Sequence, residues 1–179
     1  MVIKLVLTAS DYLTYQLYTA SKSERIKRNR YRSWLILSGC FLILGLMFYN
    51  SIKFYSFYFL GAGVISLMFY PFYQRYHYKK HYNKFILDSY KNKIGKEAMI
   101  DFQPDYIFSN DTTGEGKIYT SEVCEINEIG THYFIKAKTG ESLILPKSTI
   151  NDDHFVQKLE LIFNNPSIII NREPDWKWK

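Results

Sequence analysis

Hydrophobic residues follow three rhythms along this chain. The first is continuous: two apolar runs, residues 34–49 and 54–73, are parted only by residues 50–53, and neither run contains a charged side chain. A helix rises about 1.5 Å per residue and a bilayer's hydrocarbon core is about 30 Å thick. The second run crosses that thickness untilted. The first does so with help from Ser33 and a snorkelling Arg32. The predicted element is a helical hairpin in a membrane, with spans at about 34–50 and 54–73.

The second rhythm is helical. After a short predicted strand at residues 2–7, Thr8 to Asp11 reads as a capping box with Asp in place of Glu. Leu13, Leu17 and Ala20 then recur at helical spacing. This helix is expected over residues 10–30, with Ser21, Lys22 and Ser23 as the place for a break. Beyond the second run, Pro71 is expected to kink the helix. Tyr78, Tyr82, Phe85, Ile86 and Tyr90 form a stripe, so one helix is expected from residue 54 to about 93, ending at Gly95. Its stripe is expected to pack on the 10–30 helix as an antiparallel stalk.

The third rhythm has period two and starts at residue 95. Alternating segments near 98–102, 106–108, 117–119, 123–129, 130–136 and 142–145 are separated by turns rich in Gly, Asn, Asp and Pro. That spacing predicts an antiparallel meander of five or six strands. An acidic helix start at Asn151, Asp152 and Asp153 precedes Phe155, Val156, Leu159, Ile162 and Phe163, and Pro166 stops the helix. The outline is that of a pleckstrin-homology-like (PH-like) half-barrel with a C-terminal helix. A full barrel needs one strand more than residues 95–150 supply, and the 2–7 strand is the candidate.

The expected fold class is therefore a membrane α-helical hairpin plus a cytoplasmic α+β domain. Its expected segments are 1–32 (strand and basic helix), 33–94 (hairpin and stalk), 95–165 (PH-like domain) and 166–179 (tail).

Charge sets the expected orientation. Residues 1–94 carry fourteen Lys or Arg against three acids, net +11, whereas residues 95–165 carry six against twelve, net −6. Arg25, Lys27, Arg28, Arg30 and Arg32 precede the first run, and Arg75, Lys79 and Lys80 follow the second. Cationic flanks stay on the cytoplasmic side, so both termini are expected there, in the inner membrane of a bacterium. More than thirty residues precede the first run and no small-residue cleavage site follows it, so a cleaved leader is not expected. Cys40 and Cys124 are expected to stay apart and reduced. The high isoelectric point, about 9.1, then reports membrane topology and not nucleic-acid binding.

The order of elements is similar to that of the YcxB-like family of small bacterial membrane proteins. The matching residues are Leu7 to Leu13, then Ile144, Leu145, Pro146 and Lys147 where the last strand leads towards the helix, and Phe155 beyond. Tyr119 stands where many members carry a tryptophan. The resemblance covers nearly the whole chain. It implies a PH-like cytoplasmic module whose molecular function is unassigned.

Catalytic chemistry is not expected. His77 and His81 are spaced for a shared metal on a helix, but the acid of His-Glu-x-x-His is missing and two lysines lie between them. Asp152, Asp153 and His154 read as a helix start. The 110–116 loop has glycines but no Walker lysine, and Asp111 and Glu115 would repel phosphate. No cofactor is expected. An acidic domain with these loops disfavours inositol lipids and suits a protein partner or an added strand. Gly39, Gly45, Gly61 and Gly63 are candidates for close helix packing, within the hairpin or in a homo-oligomer that modulates or blocks another membrane complex. Trp176 to Lys179 either rests on the membrane surface or frays.

Overall fold

A computed structural model describes residues 1–150, 152 and 154–178. Its described residues form two compact units: residues 1–15 with 83–177, and residues 16–82 with Trp178.

The first unit is β-rich. Strand β1 (Val2–Val6) pairs antiparallel with β2 (Glu97–Phe102), which pairs with β3 (Tyr106–Asp111), which pairs with β4 (Gly114–Tyr119). The N-terminal strand thus joins the sheet, as the missing-strand argument anticipated. Its alternation puts Leu5 inward and leaves Val2 and Val6 outward. The second sheet is built from β5 (Val123–Ile129), β6 (His132–Ala137), β7 (Ser142–Pro146) and a last strand, β8 (Ile169–Glu173), in the order β7-β6-β5-β8.

Strand β8 departs from the expected tail and from a purely antiparallel meander. It pairs parallel with β5, placing Asn127 opposite Asn171. The Asn171 amide donates to Asn127 Oδ1 at 2.8 Å, and Arg172 sits 3.6 Å from Glu128. Asn127 is 5% exposed, so this side-chain bond is formed largely out of water. A parallel return needs a crossover, and helix α4 (Phe155–Phe163) is that crossover. In the sequence, Asn165 and Pro166 read only as a helix stop.

The core fills the space bounded by both sheets and α4. Phe102, Ile107, Ile126 and Leu145 meet Phe155, Leu159 and Phe163 there. A register shift between Val123 and Glu125 lets Val123 and Ile126 both turn inward although they are three residues apart. Asn151 and Asp153 of the expected helix start lie outside the described residues. Asp152 accepts from the His154 amide at 3.0 Å and from Lys158, the local bonding expected of a helix start.

The helical elements are α1 (Ala9–Lys22), α2 (Glu24–Met47) and α3 (Lys53–Ser89). The expected 10–30 helix is interrupted. Ser23 is extended, and its hydroxyl accepts from the Ile26 amide to start α2. The basic stretch is therefore continuous with the first apolar run. Helix α3 ends at Ser89, short of residue 93, and a turn leads to Gly95 at φ +74°, whose amide donates to the Leu7 carbonyl at 2.9 Å.

Replacing Asn171 with Ala removes the amide that donates to the buried Asn127 Oδ1. The expected loss is about 1–3 kcal/mol, read as a lower thermal midpoint of the β-rich unit in the intact protein.

Candidate membrane-interface site

Helices α2 and α3 are each long and apolar enough to cross a bilayer, and only 11% of each apolar window is buried. A core helix of a soluble bundle would bury most of that surface. What is buried is a narrow seam. A Cβ built on Gly45 would meet Leu60 at 2.7 Å, and one on Gly63 would meet Leu42 at 2.7 Å, so both glycines let the helices approach. Gly39 and Gly61 have nothing within 4 Å and do not belong to the seam. The four candidate packing glycines thus divide into two pairs.

Polar groups in the seam satisfy backbone acceptors. Pro71 lies inside α3 and has no N–H, so the Leu67 carbonyl loses its helical donor. Trp34 Nε1 supplies one across the seam at 3.2 Å. At the other end, the Tyr49 amide bonds to Leu46, and Ser56 Oγ donates to the Gly45 carbonyl at 2.7 Å. Ser38 and Ser66 share a 3.0 Å hydrogen bond between these points. Gln74, 7% exposed, donates to the Arg30 carbonyl and to Ser33 Oγ at 3.1 and 2.8 Å. Pro71 was expected only to kink α3; what joins it to Trp34 is the carbonyl four residues before the proline.

Above Gln74 the helices part into a groove of about 420 Å³. Ser33, Gln74 and Tyr70 line it, with Tyr73, His77, Tyr78 and His81 along α3. His77 stacks on Tyr73 with centroids 5.7 Å apart. The two histidines therefore share a groove, but among the described residues no group of three or more metal-binding side chains forms.

The basic flank surrounds this end. Arg25, Lys27, Arg28, Arg32, Arg75, Lys79 and Lys80 are exposed and Arg30 is half-buried. The Arg30 guanidinium lies 4.9 Å from the Trp178 ring and 5.8 Å from the Tyr78 ring. Arg75 donates to the Trp178 carbonyl at 2.9 Å, and Trp178 Nε1 reaches the Arg75 carbonyl at 3.4 Å. Trp178 therefore docks against α2 and α3, an outcome neither reading of the tail anticipated.

In the β-rich unit, Asp11 has two tasks. One carboxylate oxygen accepts from the Thr8 amide and hydroxyl at 2.7 and 2.8 Å, completing the capping box. The other lies 3.0 Å from His132 Nε2, whose Nδ1 is 2.7 Å from Thr131 Oγ1. His132 is 6% exposed and stacks on Phe134. The three groups hold α1's first turn against β6. No spacing in the sequence could pair residues 11 and 132.

The motif residues are packing residues. Ile144, Leu145 and Pro146 end β7 in buried positions, and Lys147 bonds Glu128 at 2.7 Å while lying 4.8 Å from the Tyr133 ring. Phe155 meets that same ring at 4.9 Å. Cys40 and Cys124 are both free thiols. No family model, curated protein or solved structure matches the chain.

The expected 110–116 loop is mostly strand: Asn110 pairs with Glu115 and Asp111 with Gly114, which leaves Thr112 and Thr113 as the β3–β4 hairpin turn. Partial burial of Asp111 favours its protonated form, but bonds from Thr113 and the nearby Lys93 ammonium outweigh this and hold its carboxyl down at about 2. Lys93 is 3.0 Å away. Because Asp111 titrates lower when folded than its ordinary 3.8, its contribution is complete above that value and drains away as pH falls towards 2. With the side chain 27% exposed, screening reduces the contribution to about 1 kcal/mol. Asp111→Asn is expected to flatten this part of the stability–pH curve measured by chemical unfolding.

Trp34→Phe is expected to weaken the hairpin by about 1–3 kcal/mol, because Leu67 is left unsatisfied. In Pro71→Ala, which restores a helical donor, the same change is expected to cost less than half as much. A detergent-unfolding double-mutant cycle reads the difference.

Proposed function

We propose that this is a non-enzymatic integral protein of the cytoplasmic membrane, whose hairpin anchors a PH-like, YcxB-type module that binds a protein partner. The observation that carries the anchoring is the exposed apolar surface of α2 and α3, of which only 11% of each window is buried. The pairing of β1 with β2 supports an even number of crossings. Strand β1 precedes the hairpin and β2 follows it, so a paired β1–β2 requires both to stand on one side. The cationic flanks favour the cytoplasm for that side. Two four-stranded sheets with a helix across the core agree with a PH-like outline.

The partner-binding reading is supported by the outer face of the first sheet. There Tyr106 opposes Tyr119, Phe108 opposes Lys117, and the Lys117 ammonium sits 3.8 Å from the Tyr106 ring. Tyr119 is 56% exposed at the free edge formed by β4. Aromatic side chains next to an open strand suit a peptide or protein partner. The net charge of −6 over residues 95–165 disfavours inositol phosphates.

Gly39 and Gly61 favour a second reading, a homo-oligomer, because both are open to the outside of the hairpin. Gly61→Leu is then expected to shrink the particle in detergent. Gly63→Leu instead wedges the seam and distorts the hairpin itself.

Topology is checked with single cysteines in a Cys40→Ser, Cys124→Ser background. A cysteine at Ser51 is expected to react with an impermeant reagent added outside the cell, whereas one at Lys4 or Glu141 stays protected until lysis. Labelling of either end from outside would remove the anchoring reading. A photocrosslinker at Tyr119 is expected to give a discrete adduct that one at Glu141 does not; equal, diffuse labelling would remove the partner reading.

A further inference from the structure

The groove at the basic end of the hairpin is unexplained by anchoring alone. Measured along α3 from Phe54, Tyr70 lies about 24 Å and His81 about 40 Å into the helix. With a hydrocarbon core of about 30 Å, the groove runs from the edge of the hydrocarbon through the headgroup layer. Its polar groups suit that depth. The hydroxyls of Tyr70, Tyr73 and Tyr78 and the imidazoles of His77 and His81 make no hydrogen bond to a described residue. Gln74 and Ser33, by contrast, bond to each other and to the Arg30 carbonyl. One end of the groove is therefore closed by satisfied groups and the rest presents donors.

We propose that this groove binds the phosphodiester of an anionic glycerophospholipid. A phosphate oxygen accepts from tyrosine hydroxyls and imidazole N–H groups, and such charge-assisted bonds strengthen at the low dielectric of the interface. The Arg30 guanidinium, 5.8 Å from the ring of the groove residue Tyr78, supplies the positive field that selects an anionic over a zwitterionic headgroup. The acyl chains leave the groove for the surrounding hydrocarbon, where α2 and α3 expose most of their apolar surface. The lipid source is favoured over free phosphate because the groove opens at the depth where headgroups are concentrated.

This inference rests on the membrane reading, and one experiment separates the two. The full-length protein is reconstituted in nanodiscs of four parts phosphatidylcholine to one part phosphatidylglycerol. It is then extracted in mild detergent, and the retained lipid is counted by native mass spectrometry. Wild type is expected to retain phosphatidylglycerol above its share of the mixture. Tyr73→Phe with His77→Gln, both at exposed positions, is expected to lower that preference about three- to tenfold, the scale of one charge-assisted bond. Lys27→Ala, away from the groove, is expected to leave it unchanged. A protein that never enters the bilayer overturns the membrane reading and this one with it. A protein that incorporates but retains both lipids in proportion, or whose preference survives the groove substitutions, overturns this one alone. Displacement of bound phosphatidylglycerol by millimolar inorganic phosphate would assign the site to a free anion and also overturn it.

Discussion

A helix surrounded by hydrocarbon has no water to complete a broken hydrogen bond, so every interruption of its ladder must be repaired by protein. On the proposed membrane reading, that constraint organises the hairpin. Pro71 removes the donor that Leu67 would otherwise receive, and the indole of Trp34 replaces it. The Gly45 carbonyl, near the end of α2, is answered by Ser56. These are cross-helix bonds, so each repair also fixes how α3 lies along α2. Gly45 and Gly63 permit the close approach that makes the bonds reachable. Between them the repairs explain why a seam so narrow holds one geometry while most of the apolar surface remains outside.

The β-rich unit is stabilised differently. Its apolar core tolerates water at the rim, and its polar bonds fix register. The bond between Asn127 and Asn171 aligns β8 on β5, and Asp11 joins the capping of α1 to His132 on β6. A strand whose burial alternates can slip by two residues at modest apolar cost. A buried amide pair cannot, because a slip would leave it without partners. Sheet order is thus set by hydrophobic pattern, and register by a few polar contacts.

Local patterns were legible in the sequence because they arise from neighbours. The apolar runs, the capping box at Thr8 and Asp11, the turn at residues 138–141 and the β5 boundaries all appear where periodicity places them. Long-range pairings were not. The β-branched run at residues 168–170 is too short to name its partner, which lies more than forty residues earlier. Trp178 read as a membrane-surface contact or a frayed end because its contacts, Arg30 and Arg75, are distant in the chain. The glycines were readable as small but not as inward or outward, a distinction that depends on helix phase.

The pairing of β1 with β2 also imposes an order on biogenesis. A ribosome releases Val2–Val6 well before their partner, Glu97–Phe102, which emerges only after the whole hairpin has been synthesised. During that interval β1 has an unsatisfied edge and its apolar inner face is uncovered. The neighbouring sheet waits longer still, because β8 follows the crossover helix. On the proposed anchoring, insertion into the bilayer would precede closure of either sheet. The nascent chain would then pass through a stage in which it is held at the membrane while β1 is still unpaired, the stage at which a chaperone or a second nascent copy has access to it.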